Sequence, residues 1–230
     1  MRRHQQGFNL ISLMVGTTLS LISIMAMLTL YKNLVSNAAI ATQDARQDGQ
    51  VASARLTLQR ELQSAGYGMT TPQVGTDLVL LKGASLNTLS TSPEINPPSA
   101  DQGNVLLWRY ETNSGAVCRG LLSQNGELSI LSTNSCSGSL TSRSWTSSPL
   151  ITAPATGLNS LASFSSAVDG NTFSLAYENC WPYQKDNQPL QPRLAVTLTT
   201  NLTASTSSAP ADANQITFCL PNVPQTPITP

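Results

Sequence analysis

Two hydropathy patterns divide the chain at Gly66. From Phe8 to Tyr31, in FNLISLMVGTTLSLISIMAMLTLY, 24 residues pass without a formal charge. At about 1.5 Å per residue a helix of that length spans roughly 36 Å, enough for a bilayer core of about 30 Å. Asn9, Ser12, Thr17, Thr18, Ser20 and Ser23 make it mildly polar for such a helix. Lys32 is the first interior charge and stands beside Tyr31, a pairing typical of a membrane–water boundary. Residues 32–65 extend the helix, because they contain no proline and are rich in Ala, Gln, Leu and Arg. Leu34, Ala38, Ala41, Ala45, Ala52, Leu56 and Leu62 form a narrow apolar stripe near multiples of 3.6 residues. Gly49 costs about 1 kcal/mol relative to Ala, and Gly66-Tyr67-Gly68 stops the helix. The pattern predicts one helix from Phe8 to about Ala65, roughly 87 Å long.

Past Gly66 the helical period disappears and short β-type runs replace it. They are Asp77–Leu81, Asn104–Tyr110, Ala116–Leu122, Glu127–Leu131, Leu158–Val168, Asn171–Tyr177, Arg193–Leu202 and Gln215–Leu220. Period two is plain in Phe173, Leu175 and Tyr177 and in Leu194, Val196 and Leu198. Asn125-Gly126 and Asp169-Gly170-Asn171 read as hairpin turns. The expected fold class is α+β: a long N-terminal helix, hydrophobic then amphipathic, packed on a C-terminal antiparallel sheet. One face of that sheet should meet the core and the lower half of the helix. Residues 82–103 and 203–213 read as loops, and 221–230 as a proline-rich tail.

Composition sharpens this division. All 14 prolines fall within residues 66–230, and 43 of those 165 residues are Ser or Thr. Only 10% of the 230 residues are charged, where a soluble domain averages about 25%. Twelve Lys+Arg balance 12 Asp+Glu, and residues 66–230 carry six basic against nine acidic residues, so general nucleic-acid binding is not expected. The single histidine is His4, which removes imidazole bases, triads and His-ligated zinc from the body of the protein. Neither a phosphate loop nor a calcium loop is present, and no cofactor is implied. Asp169, Glu178 and Asp186 cluster in sequence, but carboxylates around a turn ordinarily only solvate it. Trp108, Trp145 and Trp181 could form an aromatic platform, although core packing is the simpler reading. The four cysteines, Cys118, Cys136, Cys180 and Cys219, lack any C-x-x-C spacing, and an even number in an exported domain argues for two disulfides. Three pairings are possible; Cys118–Cys136 across the Asn125-Gly126 hairpin and Cys180–Cys219 between late strands are favoured. The chemistry points to assembly and not to catalysis.

The N-terminus carries a more specific signal. Met1–Gly7, M-R-R-H-Q-Q-G, is a short basic leader, and Arg2 and Arg3 place it in the cytoplasm with the rest directed outward. Followed by Phe8-Asn9-Leu10-Ile11-Ser12-Leu13-Met14-Val15, it resembles the N-terminus of a type IV prepilin. Arg55–Met69, RLTLQRELQSAGYGM, also resembles the helix end of PilW-type minor pilins and of the related J-type pseudopilins of type II secretion. The resemblance implies cleavage between Gly7 and Phe8 by a prepilin peptidase, which also methylates the new N-terminal Phe8. It implies a leader (1–7), a membrane or filament-core helix half (8–31), an amphipathic half (32–65), a β-rich domain (66–220) and the tail. The expected role is a minor pilin that helps initiate or cap a pilus. Its partners would be other minor pilins, the major pilin, the peptidase and, before assembly, the inner membrane. A pseudopilin, or a β domain that is only anchored, is the alternative. Ala39-Ile40-Ala41 offers a competing general signal-peptidase site, but the apolar run exceeds the ~7–15 residues of a usual signal core. The family carries Glu where this chain has Ser12, and that glutamate pairs with the amine of a neighbouring subunit. Its absence is expected of a subunit at or near the filament tip.

Overall fold

The computed structural model describes residues 10–97, 99, 101–125, 127–152, 172–180, 191–199 and 215–223. Gly7, Phe8, the strand expected at 158–168, the turn at 169–171, Asp186, Trp181 and the tail beyond 223 lie outside the described residues. Helix α1 runs from Leu10 to Gln63, 54 residues without a break. The chain divides into two units between Gly49 and Gln50, so α1 contributes to both.

In the second unit, Gln50–Gln63 of α1 packs on a sheet through Val51, Ala54, Leu58 and Leu62, with Ala65 just beyond its end. The three- and four-residue steps keep these side chains on one face. The stripe expected through Ala52 and Leu56 is therefore displaced. Both are exposed, Leu56 by 71%, and only Leu62 of that set is buried. Leu56 and Leu58 lie two residues apart and cannot share a helical face, so the sheet selects Leu58.

The strands are β1 (Leu78–Leu81), β2 (Glu94–Ile95), β3 (Val105–Thr112), β4 (Gly115–Gln124), β5 (Glu127–Ser132), β6 (Thr146–Ile151), β7 (Thr172–Cys180), β8 (Gln191–Thr199) and β9 (Gln215–Cys219). Two antiparallel sheets result, in the orders β2-β1-β3-β4-β5-β6 and β7-β8-β9. β4 and β5 form a hairpin in which Gln124 faces Glu127, and Asn125 takes φ 53°, the left-handed backbone of a two-residue turn. β2 arises within the stretch expected to be loop. β6 was not expected either: Ser147, Ser148 and Pro149 hide its strand pattern, and proline is tolerated because β6 is an edge.

The larger sheet does not bury a single face, as expected, but two. Leu78, Leu80, Leu106, Trp108, Leu121 and Leu128 join the helix-side core with residues of β7, β8 and β9. Val79, Leu81, Val105, Leu107, Cys118 and Leu122 join a second core, closed by Ala84, Leu89, Leu140 and Trp145 from the connections. Alternate side chains of one strand thus serve opposite cores, which explains the unbroken apolar runs Leu78–Leu81 and Val105–Trp108.

Gly103 joins the two sheets, its N–H and C=O each bonding Phe173 at 2.8 Å. A Cβ there would lie 2.5 Å from the Leu81 carbonyl oxygen and 2.7 Å from Leu80 Cδ1. Gly103→Ala is therefore expected to lower stability by about 1–3 kcal/mol through overpacking, measured as a reduced denaturant midpoint. The helix end is fixed as closely. Gly66, at φ 72°, donates its N–H to Arg109 O at 3.0 Å. The Asn222 amide donates to Gln63 O at 2.9 Å and Ala65 O at 3.3 Å, satisfying carbonyls that α1 leaves open.

Candidate functional site

The apolar length of α1 is the first candidate. Leu10–Thr42, 33 residues, is long and apolar enough to cross a membrane, and none of it is buried within the protein. Leu10, Met14, Leu21, Met25, Leu28 and Tyr31 each expose more than half of their surface. Exposure all round the helix distinguishes it from the core-facing stripe of a soluble domain. Its hydroxyls are turned inward along the backbone: Thr17 donates to Met14 O at 2.9 Å, Ser20 to Thr17 O at 2.9 Å and Ser23 to Leu19 O at 3.0 Å. Thr29 and Thr42 do the same, to Ala26 O at 2.8 Å and Ala38 O at 2.7 Å. A hydroxyl bonded in this way presents mainly its carbon atoms outward, so the segment is more apolar than its composition indicates. Ser12 lies in the first described turn and is exposed, while Gly7 and Phe8 precede the described residues. Among the described residues α1 is the one helix long and apolar enough to anchor the chain in a membrane.

Two disulfides staple the β-rich unit. Cys118 on β4 is joined to Cys136, in the connection after β5, with Cα atoms 5.3 Å apart. Cys180 at the end of β7 is joined to Cys219 at the end of β9, at 6.0 Å, linking the two neighbours of β8. The sequence separations of 18 and 39 correspond, by loop-closure entropy, to about 3 and about 4 kcal/mol. Such bonds persist in an oxidising compartment.

Two of the three tryptophans serve the fold. Trp108 is fully buried in the helix-side core, its indole N–H 3.4 Å from Ser64 Oγ, and Trp145 is buried in the second core. Neither forms an exposed platform. Glu178 sits exposed on β7, paired in register with Arg193 of β8. Among the described residues no group of three His, Cys, Asp or Glu side chains gathers to hold a metal ion.

Two further features come from the structure. Asp77 is only 8% exposed, and its Oδ1 lies 2.9 Å from Arg109 Nε while Oδ2 accepts the Gln73 N–H at 2.8 Å. Arg109 Nη2 reaches Thr76 O and Gly138 O, both at 3.3 Å, so this pair ties the turn before β1 to the connection after β5. A lone arginine in the apolar strand VLLWRY was the available signal. The second feature is an open depression of about 530 Å³ in the β5–β6 connection, half polar and half apolar, lined by residues 133–135, Ser137 and residues 142–146.

No family model, curated protein or solved structure matches the chain.

Proposed function

We propose that this chain is a minor pilin: a membrane-inserted subunit that is cut at Gly7–Phe8 and helps initiate or cap a type IV filament. The observation that carries the reading is the apolar segment Leu10–Thr42, exposed on every side and directly continuous in sequence with the basic leader and the Gly7-Phe8 junction. A disulfide-stapled, antiparallel β unit at its far end suits an exported domain. In this reading the helix resides in the inner membrane with the β unit in the periplasm, and later packs among the helices of other minor pilins and the major pilin. The protein has no catalytic task.

The mature N-terminus tests this directly. Mass spectrometry is expected to find N-methylated Phe8; a terminus just after Ala41, at Thr42 or Gln43, would show general signal-peptidase cleavage, and an intact Met1 an uncut anchor, either of which overturns the reading.

Ser12 yields a second expectation. An unpaired carboxylate costs about 2.5–3.5 kcal/mol at the centre of a membrane helix and less near its end, where position 12 lies, and Ser12 neither bears that cost nor makes the pair. Ser12→Ala is expected to leave filament numbers unchanged. Ser12→Glu is expected to give no gain, and to weaken membrane residence where no amine meets the charge. Filament counts and the position of a tagged subunit check both. Increased incorporation of Ser12→Glu along the shaft, with wild type already there, would show the serine to be a defect and not a tip feature.

A further inference from the structure

We propose that the depression at residues 133–146 is a binding site for an acidic saccharide, a sugar that carries a carboxylate. The site belongs to the β-rich unit alone, and the inference does not depend on how the N-terminus is processed or whether a filament forms.

The lining supplies the chemistry. Ser137 and Ser144 present hydroxyls and Asn134 an amide, groups that can each both donate and accept hydrogen bonds. The Thr133 and Thr146 hydroxyls donate within the loop and keep only acceptor capacity, and Ser135 Oγ accepts from Arg143. Ligand hydroxyls spread over several carbons need that dispersed, two-way bonding. Neither Asp nor Glu lines the depression, and its single charge is the Arg143 guanidinium. A phosphate would demand converging cations or backbone N–H groups, whereas one guanidinium among hydroxyls matches one carboxylate on a polyol. At about 530 Å³ the depression has room for a sugar residue, and its open side would leave a longer saccharide free to extend into solvent.

Arg143 is aimed before any ligand arrives. Its Nη1 donates to Ser135 O at 2.7 Å and reaches Ser135 Oγ at 3.3 Å, while Nε donates to Ser139 O at 3.1 Å. Among the described residues Nη2 has no partner, which leaves one edge of a fixed cation open. The surrounding loop is held at several points. Cys136 is bonded to Cys118 of β4, the buried Trp145 donates its indole N–H to Leu140 O at 3.1 Å, and Thr146 Oγ1 donates to Ser132 O at 3.0 Å. The connection is thus ordered by internal bonds, and ligand binding need not supply that order.

The test uses the full-length protein in detergent micelles, with trigalacturonate as the acidic probe and galactotriose as the neutral one, followed by calorimetry and saturation-transfer NMR. Trigalacturonate is expected to bind saturably and at least tenfold more tightly than galactotriose. Arg143→Gln should remove that preference. Ser144→Trp, an exposed position outside the bonds that hold the loop, should block both probes while both disulfides remain intact by peptide mapping. Absence of saturable binding, equal affinity for the two sugars, or unchanged trigalacturonate binding in Ser144→Trp would each overturn the proposal. Loss in Arg143→Gln alone would locate the effect in the loop's integrity, and counts against it.

Discussion

With tryptophan at position 7, the chain is expected to remain a full-length precursor in the membrane and to enter no filament. The expectation rests on the minor-pilin reading, in which the peptidase accepts only a small residue before Phe8. The effect should be all or none, because cleavage is a single covalent event that also releases the amine to be methylated. Apolar insertion should be untouched, since Leu10–Thr42 is the segment long and apolar enough to cross a membrane and position 7 lies outside it. Fractionation should therefore find the variant in the membrane at wild-type amounts, seven residues longer and unmethylated. Ala41→Trp provides the contrast. It alters the small-x-small site at Ala39–Ala41 and leaves the Gly7 junction intact, so maturation should proceed normally. If Ala41→Trp blocked processing and the tryptophan at position 7 did not, the N-terminus would be a secretory signal and the minor-pilin reading would fail.

How far the sequence disclosed the fold depends on which residues held the information. Long apolar stretches and period-two runs mark α1, β1, β3, β4, β5 and β7–β9 because burial alone determines them, and burial is written in residue type. β2 and β6 depend instead on their neighbours. Two residues at β2 and a Ser/Pro-rich stretch at β6 become strands only when β1 and β5 offer them open edges. The two-sided burial of the larger sheet was present in Leu78–Leu81 and Val105–Trp108, whose unbroken apolar runs contradict a half-solvated strand. Arg109 and Asp77 were legible as residues but not as a pair, since nothing in sequence brings positions 32 apart together. The depression at 133–146 is harder still. Its Ser and Thr residues look like any solvated loop until Cys136, Arg143 and Trp145 are seen to fix it in one conformation.

Helix phase gives the largest expected effect within the fold itself. Leu56 and Leu58 have the same chemistry and nearly the same place in α1, yet Leu58 is 1% exposed in the helix-side core and Leu56 is 71% exposed. Truncating Leu58 to Ala removes buried methyl groups from a site surrounded by Leu62, Trp108 and their neighbours, and a well-packed core relaxes only partly around such a gap. The expected loss is about 2–5 kcal/mol, a large share of the roughly 5–15 kcal/mol that holds an ordinary domain together. Leu56→Ala gives up surface already in solvent and gains a little helix propensity, so its change should stay within about 0.5 kcal/mol. Denaturant unfolding of both variants, in detergent and with disulfides intact, measures the difference, with Trp108 fluorescence among the signals of core exposure. Equal losses for the two variants, or a greater one for Leu56→Ala, would mean that α1 is rotated and that the apolar stripe read through Ala52 and Leu56 is the face on the sheet.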